Sequence, residues 1–219
     1  MNIFYTHSNP FLCAKDHCKV LQVKMILEYA QLLCTSIRVL DGKKCKVYKR
    51  TVKKIKLEDG SFIRKVSVKL IDWYEMPSDT FFYRFGMRFI KDHVLYKHTH
   101  VNHPSAIWTR QTTSNYMYVY ALFSALCTLF EQRTGKTHAT ARLIPLLKLP
   151  PVNMPVGALT PILLAMPDEY KQQNKEQAYK DYLNDKYLDW LTREKPVDVS
   201  FPCGIPSWVS NDIKQMIEV

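Results

Sequence analysis

The sequence of 219 residues predicts a mainly α, compact single-domain fold, built on two long buried helices and carrying one inserted basic β-hairpin. Residues 16–40 and 113–134 are long apolar stretches without Gly or Pro, as long buried helices require. Between them, residues 43–73 are rich in β-branched and basic side chains, which is typical of strands. A hydrophobic content of 47% excludes an intrinsically disordered chain.

The first half of the chain contains local signals for each element. Asn9-Pro10 predicts a helix start, and Asp41-Gly42 predicts the end of the first long helix. In the hairpin, Asp59-Gly60 predicts a two-residue turn. Because an isolated two-stranded ribbon is only marginally stable, we expect it to lie on the helical body with its basic face outward.

The second half reads as further helices joined by irregular segments. Residues 74–112 are predicted to be irregular, and they include an aromatic cluster at 81–85. Gly135 predicts the end of the second long helix. We expect a shorter helix over 138–147, an extended proline-rich segment over 149–167, an amphipathic helix over 172–194 and a last turn near 211–217.

Positive charge is concentrated in the hairpin. The formal net charge is +11, and residues 43–69 contain 11 basic side chains but only two acidic ones, Glu58 and Asp59. Such a field attracts polyanions, above all nucleic acid. The candidate phosphate contacts are Lys49, Arg50, Lys53, Lys54, Lys56, Arg64, Lys65 and Lys69. The alternative is a solvated hairpin that only keeps the protein soluble.

The sequence lacks the motifs that are typical of several other classes of protein. No stretch has the roughly 18 uninterrupted apolar residues of a membrane span, and no signal peptide is evident, so we expect a cytoplasmic protein with no membrane partner. The six cysteines lack paired spacing. The chain contains no P-loop, dinucleotide-binding or serine-hydrolase motif, and it implies no cofactor.

Polar residues form one line on the first long helix. His17, Lys24, Glu28, Gln31 and Thr35 recur at helical spacing on an otherwise apolar helix. The line is either a solvent-facing edge with a Lys24–Glu28 pair or the border of a cleft. In a cleft, Glu28 would suit general acid–base chemistry.

The later aromatic and histidine residues are further candidates. Tyr116 and Tyr120, one helical turn apart, are either core residues or a stacking surface for a base. His98, His100 and His103 lack the spacing of a metal site, so we expect no metal there. We interpret His103, with Trp108 and Arg110 after it, as a phosphate or base contact.

Four stretches carry a resemblance to known proteins: KMILEYAQLLC (24–34), VNHPSAIWTR (101–110), EQRTGKTH (131–138) and AMPDEY (165–170). They resemble uncharacterised proteins of tailed bacteriophages and, more remotely, the pyrimidine-dimer DNA glycosylase (endonuclease V) family. The resemblance implies a helical DNA-binding protein that cleaves a glycosidic bond. It further implies that an N-terminal α-amine, here that of Met1, attacks the sugar C1′ while Glu28 transfers protons.

The chain departs from that family beside Glu28. Lys19, Val20 and Leu21 stand where the family has Asp-x-His, and Leu27 and Gln31 stand where it has arginines. An α-amine is substantially unprotonated near neutral pH, so it is a nucleophile without special tuning. Lys24 is an alternative nucleophile if burial favours its neutral form.

Two other functions remain open. The chain could be a non-catalytic basic module. Such a module would bind nucleic acid itself, or a protein of a host or phage replication or transcription complex. It could also be an enzyme acting on free nucleotides, for which the hairpin would be dispensable.

Overall fold

The computed structural model describes residues 1–76 and 94–218, which are mainly helical and include one antiparallel hairpin. The predicted aromatic cluster at 81–85 and His93 lie outside the described residues. The helices are α1 Pro10–Lys15, α2 Lys19–Asp41, α3 Pro104–Thr109, α4 Thr113–Thr134, α5 Ile144–Leu147, α6 Lys175–Leu191 and α7 Asn211–Glu218. The strands are β1 Lys43–Lys56 and β2 Phe62–Glu75, and 3₁₀ turns cover Ala139–Leu143 and Asp168–Tyr170.

Helix α1 begins as predicted, but α2 begins three residues later than expected. The Asn9 side chain accepts hydrogen bonds from Phe11 N and Leu12 N at the start of α1. The chain then breaks at residues 16–18, and the Lys19 amide donates to Ser200 O at 2.7 Å. Helix α2 buries 14 of its 23 residues and so contributes a large part of the core.

Helix α4 has the predicted bounds, because both of its ends are specified locally. The Thr112 side chain accepts from Asn115 N, and Gly135 adopts the left-handed conformation with φ 65°. Nine of the 22 residues of α4 are buried, so α4 is a partly exposed helix. Helix α3 was missed, since residues 74–112 were predicted to be irregular.

The proline-rich segment over 149–167 is extended, as predicted, and it is tied to the end of α2. The buried Asp41 carboxylate accepts from Val152 N and Asn153 N, each at 3.0 Å. Gly42 follows, where an added Cβ would lie 2.3 Å from Arg38 O. Only glycine therefore allows the chain to leave α2 for β1 along this path.

The hairpin forms with 14-residue strands, but its turn differs from the prediction. Leu57 N donates to Ser61 O at 2.8 Å and Gly60 N donates to Leu57 O at 3.0 Å. Gly60 has φ 83°. The connection is therefore a three-residue loop with glycine in the left-handed position, because Glu58 occupies the turn along with Asp59 and Gly60.

The expectation that the hairpin lies flat on the helical body is wrong. Most of its residues are exposed along both strands, including Tyr48 at 78% and Val68 at 59%. At the usual rise per residue, each strand extends over about 46 Å. The ribbon therefore extends away from the core, and contacts at its base replace the packing expected along its length.

Arg38 at the end of α2 anchors that base. Its guanidinium is 1% exposed and donates to the carbonyls of Tyr74 (3.1 Å), Leu95 (3.2 Å) and Tyr96 (2.7 Å). It also lies 5.2 Å from the ring centroid of Trp73. One buried cation thus joins α2, the end of β2 and the segment that follows residue 93.

Helix α2 is, within the described residues, the one helix whose length and hydropathy would suit a membrane span. Because 67% of its most apolar window is buried inside the protein, the core accounts for this apolarity.

We expect Arg38→Met to lower the free energy of unfolding by about 3–5 kcal/mol, since three buried carbonyls lose their charged donor. Urea unfolding of this variant and of Arg64→Met, an exposed arginine of β2, measures the difference. Equal effects of the two substitutions would contradict the anchoring role of Arg38.

Candidate functional site

The first residues of the chain are fixed inside the protein. Asn2 Nδ2 donates to Ala165 O at 2.8 Å, and Asn2 Oδ1 accepts from Tyr179 OH at 3.0 Å and from Ile3 N at 2.9 Å. The Met1 side chain is only 3% exposed, although Met1 as a whole is half-buried. The accessible surface of Met1 is therefore mainly its main chain, while its side chain packs against the core.

The Met1 amine lies beside Glu28. Its nitrogen is 3.9 Å from Glu28 Oε2, while Lys24 Nζ is 3.6 Å from Glu28 Oε1. The Glu28 side chain is 17% exposed, so its carboxylate sits at the border between core and solvent. A carboxylate between two amines can accept a proton from either one.

His103 belongs to the same group. Burial, the positive charge of the Met1 amine and the charge of His100 lower the pKa of His103, in that order, while Glu28 opposes them. His103 is thus within electrostatic range of both Met1 and Glu28. Its Nδ1 accepts from Ser105 N at 3.2 Å, so the neutral ring carries its proton on Nε2.

Segment 94–103, the irregular stretch before α3, holds His103 in place by running along α2. Thr99 N donates to Thr35 Oγ1 at 3.1 Å. On α2, Thr35 lies between Arg38, which contacts Tyr96, and Glu28. Arg110 Nη1 donates to Val101 O at 2.7 Å. Arg110 is therefore a positioning residue for this segment, and this contact already occupies part of its guanidinium.

A cleft of about 640 Å³ is lined by residues next in sequence to His103 and Ala165. Pro104, the neighbour of His103, forms one side, and Leu164, the neighbour of Ala165, forms another. The remaining lining residues are Ile107, Pro161, Ile162, Leu163, Lys171, Gln172, Gln173 and Lys175. The cleft is thus a concave, mainly apolar surface with polar residues at one side, and Met1, Glu28 and His103 are not among its lining residues.

Several predicted site residues lie elsewhere. Trp108 is fully buried with its indole donating to Thr160 O at 3.1 Å, and Tyr116 is fully buried with its hydroxyl donating to Leu147 O at 3.0 Å. Both are core residues, so their prediction as substrate contacts is wrong. Gln31 is half-buried one turn beyond Glu28, whereas Tyr120 on α4 is half-buried and packs against the core.

His17 and Lys24 also differ from the predicted polar line. His17 precedes α2 and is 1% exposed, with Nδ1 2.7 Å from Cys13 O and Nε2 2.9 Å from Tyr29 OH. It is therefore a hydrogen-bonded core histidine. The Lys24 side chain is 60% exposed, so the burial that its role as an alternative nucleophile requires is absent.

The eight basic hairpin residues divide between the two faces of the ribbon. Directly paired residues share a face, so β1 and β2 place Lys49, Lys53, Lys65 and Lys69 together around Thr51 and Ser67. We call this the lysine face. Arg50, Lys54, Lys56 and Arg64 lie on the opposite, mixed face, among the exposed apolar residues Tyr48, Val52, Phe62, Val66, Val68 and Leu70.

Like charges face each other across the ribbon. Lys49 pairs with Lys69, Lys53 with Lys65, and Lys54 with Arg64. None of these side chains has an ion pair within the described residues; Lys44 and Lys46 do, with Asp72. Direct like-charge pairs destabilise a sheet, and an anion bound over them would relieve the repulsion.

The described residues contain no group of three His, Cys, Asp or Glu side chains placed to hold a metal ion. His100 and His103 have ring centroids 6.4 Å apart, whereas His98 packs edge-on against Trp73.

The sequence predicted Met1, Glu28 and His103 as site residues, but it did not reveal the residues that hold Met1 in place. Asn2 and Tyr179 secure the chain start, and a single Asn at position 2 gives no pattern that would reveal this.

Comparisons of the chain with protein families, with curated proteins and with solved structures find no match.

Burial lowers the pKa of His17 to about 4, so folding favours its neutral form. The unfolded chain binds this proton below about pH 6.5, and the folded chain does so only near pH 4. We therefore expect the free energy of unfolding to fall by about 3 kcal/mol between pH 7 and pH 4 because of His17.

Urea unfolding at pH 7 and pH 4 checks this. Between pH 7 and pH 4, the free energy of unfolding should fall less in His17→Gln than in the wild type, because the variant lacks this titrating group. His7→Gln, which replaces a more exposed histidine, serves as control. An unchanged difference between wild type and His17→Gln at the two pH values would contradict it.

Proposed function

We propose that this protein binds DNA and cleaves a glycosidic bond, with the Met1 amine as nucleophile and Glu28 as the proton-transfer residue. The observation that carries the proposal is the 3.9 Å separation of the Met1 nitrogen and Glu28 Oε2, with the Met1 side chain directed into the core. It is the pairing of α-amine and glutamate that the resemblance to the pyrimidine-dimer DNA glycosylase family implies.

In the proposed reaction, the unprotonated amine attacks C1′ of the sugar. The C1′–N bond to the base breaks and the base leaves with its electron pair and a proton. The C1′–O4′ bond then opens, O4′ takes a proton, and an imine forms between the Met1 nitrogen and C1′. In forming the neutral imine the amine loses two protons, which Glu28 accepts one after the other; it delivers the first to the departing base and the second to O4′.

The other residues of the group have supporting roles. Lys24, exposed beside Glu28, attracts an incoming phosphate by its charge. His103, neutral with its proton on Nε2, donates a hydrogen bond to the sugar or phosphate. Gln31, half-buried one turn further, contacts the same nucleotide.

The burial of Tyr116 on α4 argues against a nucleotide path through a groove between the two long helices. We propose that α2 is the central buried helix and that the nucleotide approaches over α2 and His103, beside the 640 Å³ cleft. Tyr116 supports this choice, since its burial fills space on the side of α4 that faces the core.

For the DNA backbone, we propose that the lysine face of the hairpin makes the main contacts. Its two facing lysine pairs are exposed and lack ion pairs within the described residues. A two-stranded ribbon fits the major groove of B-DNA.

Borohydride trapping on duplex DNA containing an abasic site tests the amine mechanism. There the free C1′ aldehyde condenses with the amine, and loss of water gives the imine that borohydride reduces. We expect a covalent adduct at Met1, located by mass spectrometry. Glu28→Gln should slow its formation by about 100-fold, because proton transfer is lost.

Two controls make this test specific. Glu194→Gln, an exposed glutamate outside the site, should leave trapping unchanged. A Gly-Ser extension before Met1 moves the amine away from Glu28 and should abolish the adduct. Absence of an adduct in the wild type, or an undiminished adduct in the extended protein, would exclude Met1 as nucleophile.

Replacing all four lysines of the lysine face with Gln should weaken DNA binding and lower its salt dependence. Each lost phosphate contact reduces the slope of log affinity against log salt by about 0.9, so we expect a change of about 3–4. Fluorescence anisotropy over a range of salt concentrations measures this slope. The matched variant replaces Arg50, Lys54, Lys56 and Arg64; an equal change there would contradict the assignment to one face.

Binding without catalysis is the second candidate function. The missing Asp-x-His element favours it, as do the like-charged lysine pairs, which have no acidic partner in the part of the chain that the structure describes. It predicts salt-dependent binding to the same duplexes with no trapped adduct.

A further inference from the structure

A second cleft lies at the base of the hairpin, apart from the group around Met1. Its volume is about 430 Å³. Its lining residues are Val47, Tyr48, Lys49, Arg50, Ile71, Trp73, Lys97 and His98. Two strands and segment 94–103 thus enclose one concave surface that continues into the lysine face at Lys49.

The lining of this cleft matches a nucleotide. Lys49, Arg50 and Lys97 are exposed cations, and no lining residue is acidic. Trp73 is half-buried, with Lys97 Nζ 5.7 Å from its ring centroid. His98 Nδ1 is buried without a hydrogen-bond partner. Cations bind phosphate, and aromatic rings with cations at their faces stack on bases.

The spacing between this cleft and the Met1 amine is set by α2. Arg38, which lies under Trp73, follows Glu28 by ten residues, or about 15 Å along a helix axis. Segment 94–103 spans the same interval, with His98 at the cleft and His103 at the amine. From His98 the chain reaches His103 through a turn, which is closed by a hydrogen bond from His103 N to His100 O at 2.8 Å.

We infer that this cleft binds the phosphate and base of a second nucleotide in the same DNA strand, about four nucleotides from the reacting sugar. This inference rests on the proposed function, because the reacting nucleotide defines the starting point. The phosphates between the two nucleotides would then follow Lys97, His100 and His103, which uses the histidine motif that metal binding does not explain.

The experiment uses duplexes with a stable abasic-site analogue and an intact chain. One series shortens the flank on one side of the analogue from eight base pairs to two, and a second series shortens the other side. We expect shortening on one side alone to weaken binding by about tenfold and to abolish quenching of Trp73 fluorescence. Shortening on the other side should have a much smaller effect.

Substitutions identify the cleft as the source of this asymmetry. Lys97→Gln should bind the long duplex as weakly as the wild type binds the shortened one, while Lys195→Gln, an exposed lysine after α6, should bind normally. Trp73→Phe keeps an aromatic ring on Arg38 and should remove the quenching. Adduct formation at Met1 on long abasic duplexes, measured in parallel, should persist in Lys97→Gln.

The outcomes separate this inference from the proposed function. Salt-dependent binding that is equally sensitive to both flanks, or unaffected by Lys97→Gln, overturns the second site and leaves the Met1 mechanism standing. Quenching of Trp73 by a mononucleotide as strongly as by the duplex also overturns it, in favour of a free-nucleotide site. Absence of binding to any duplex overturns both proposals.

Discussion

The anchoring of the first three residues determines the chemistry that the site can perform. A mobile chain terminus would sample many positions, whereas burial of the Met1 side chain and the hydrogen bonds of Asn2 hold the amine within 3.9 Å of Glu28. Holding two reacting groups at such a distance removes much of the entropic barrier to their cooperation. The departures from the glycosylase pattern beside Glu28 leave this geometry intact.

Other polar side chains of α2 fix neighbouring segments of the chain in the same way. Arg38 secures the hairpin base, Thr35 secures segment 94–103, and Glu28 lies at the amine. Each of these side chains contacts an irregular segment whose backbone groups need partners. Helix α2 therefore fixes the relative positions of the ribbon, the histidine segment and the chain start.

The sequence predicts elements with local signals well and tertiary contacts poorly. Thr112 and Gly135 specify both ends of α4 through short-range hydrogen bonds and backbone conformation. Glu28 stands out because it is a carboxylate on an apolar helix. By contrast, the residue types at Trp108 and Tyr116 suit a core as well as a binding surface, and the structure buries both in the core. His17 turns inward through partners 4 and 12 residues away. The direction of the ribbon depends on Arg38, which no local pattern reveals.

The ribbon has a consequence for the behaviour of the protein in solution. Within residues 1–76 and 94–218, both of its strands are edge strands with no further strand beside them, and such edges tend to recruit strands from other chains. Mutual repulsion among the lysines keeps two copies apart while the protein is free. Nucleic acid that neutralises those charges would remove this protection, so self-association would be strongest near charge balance and would reverse with excess polyanion.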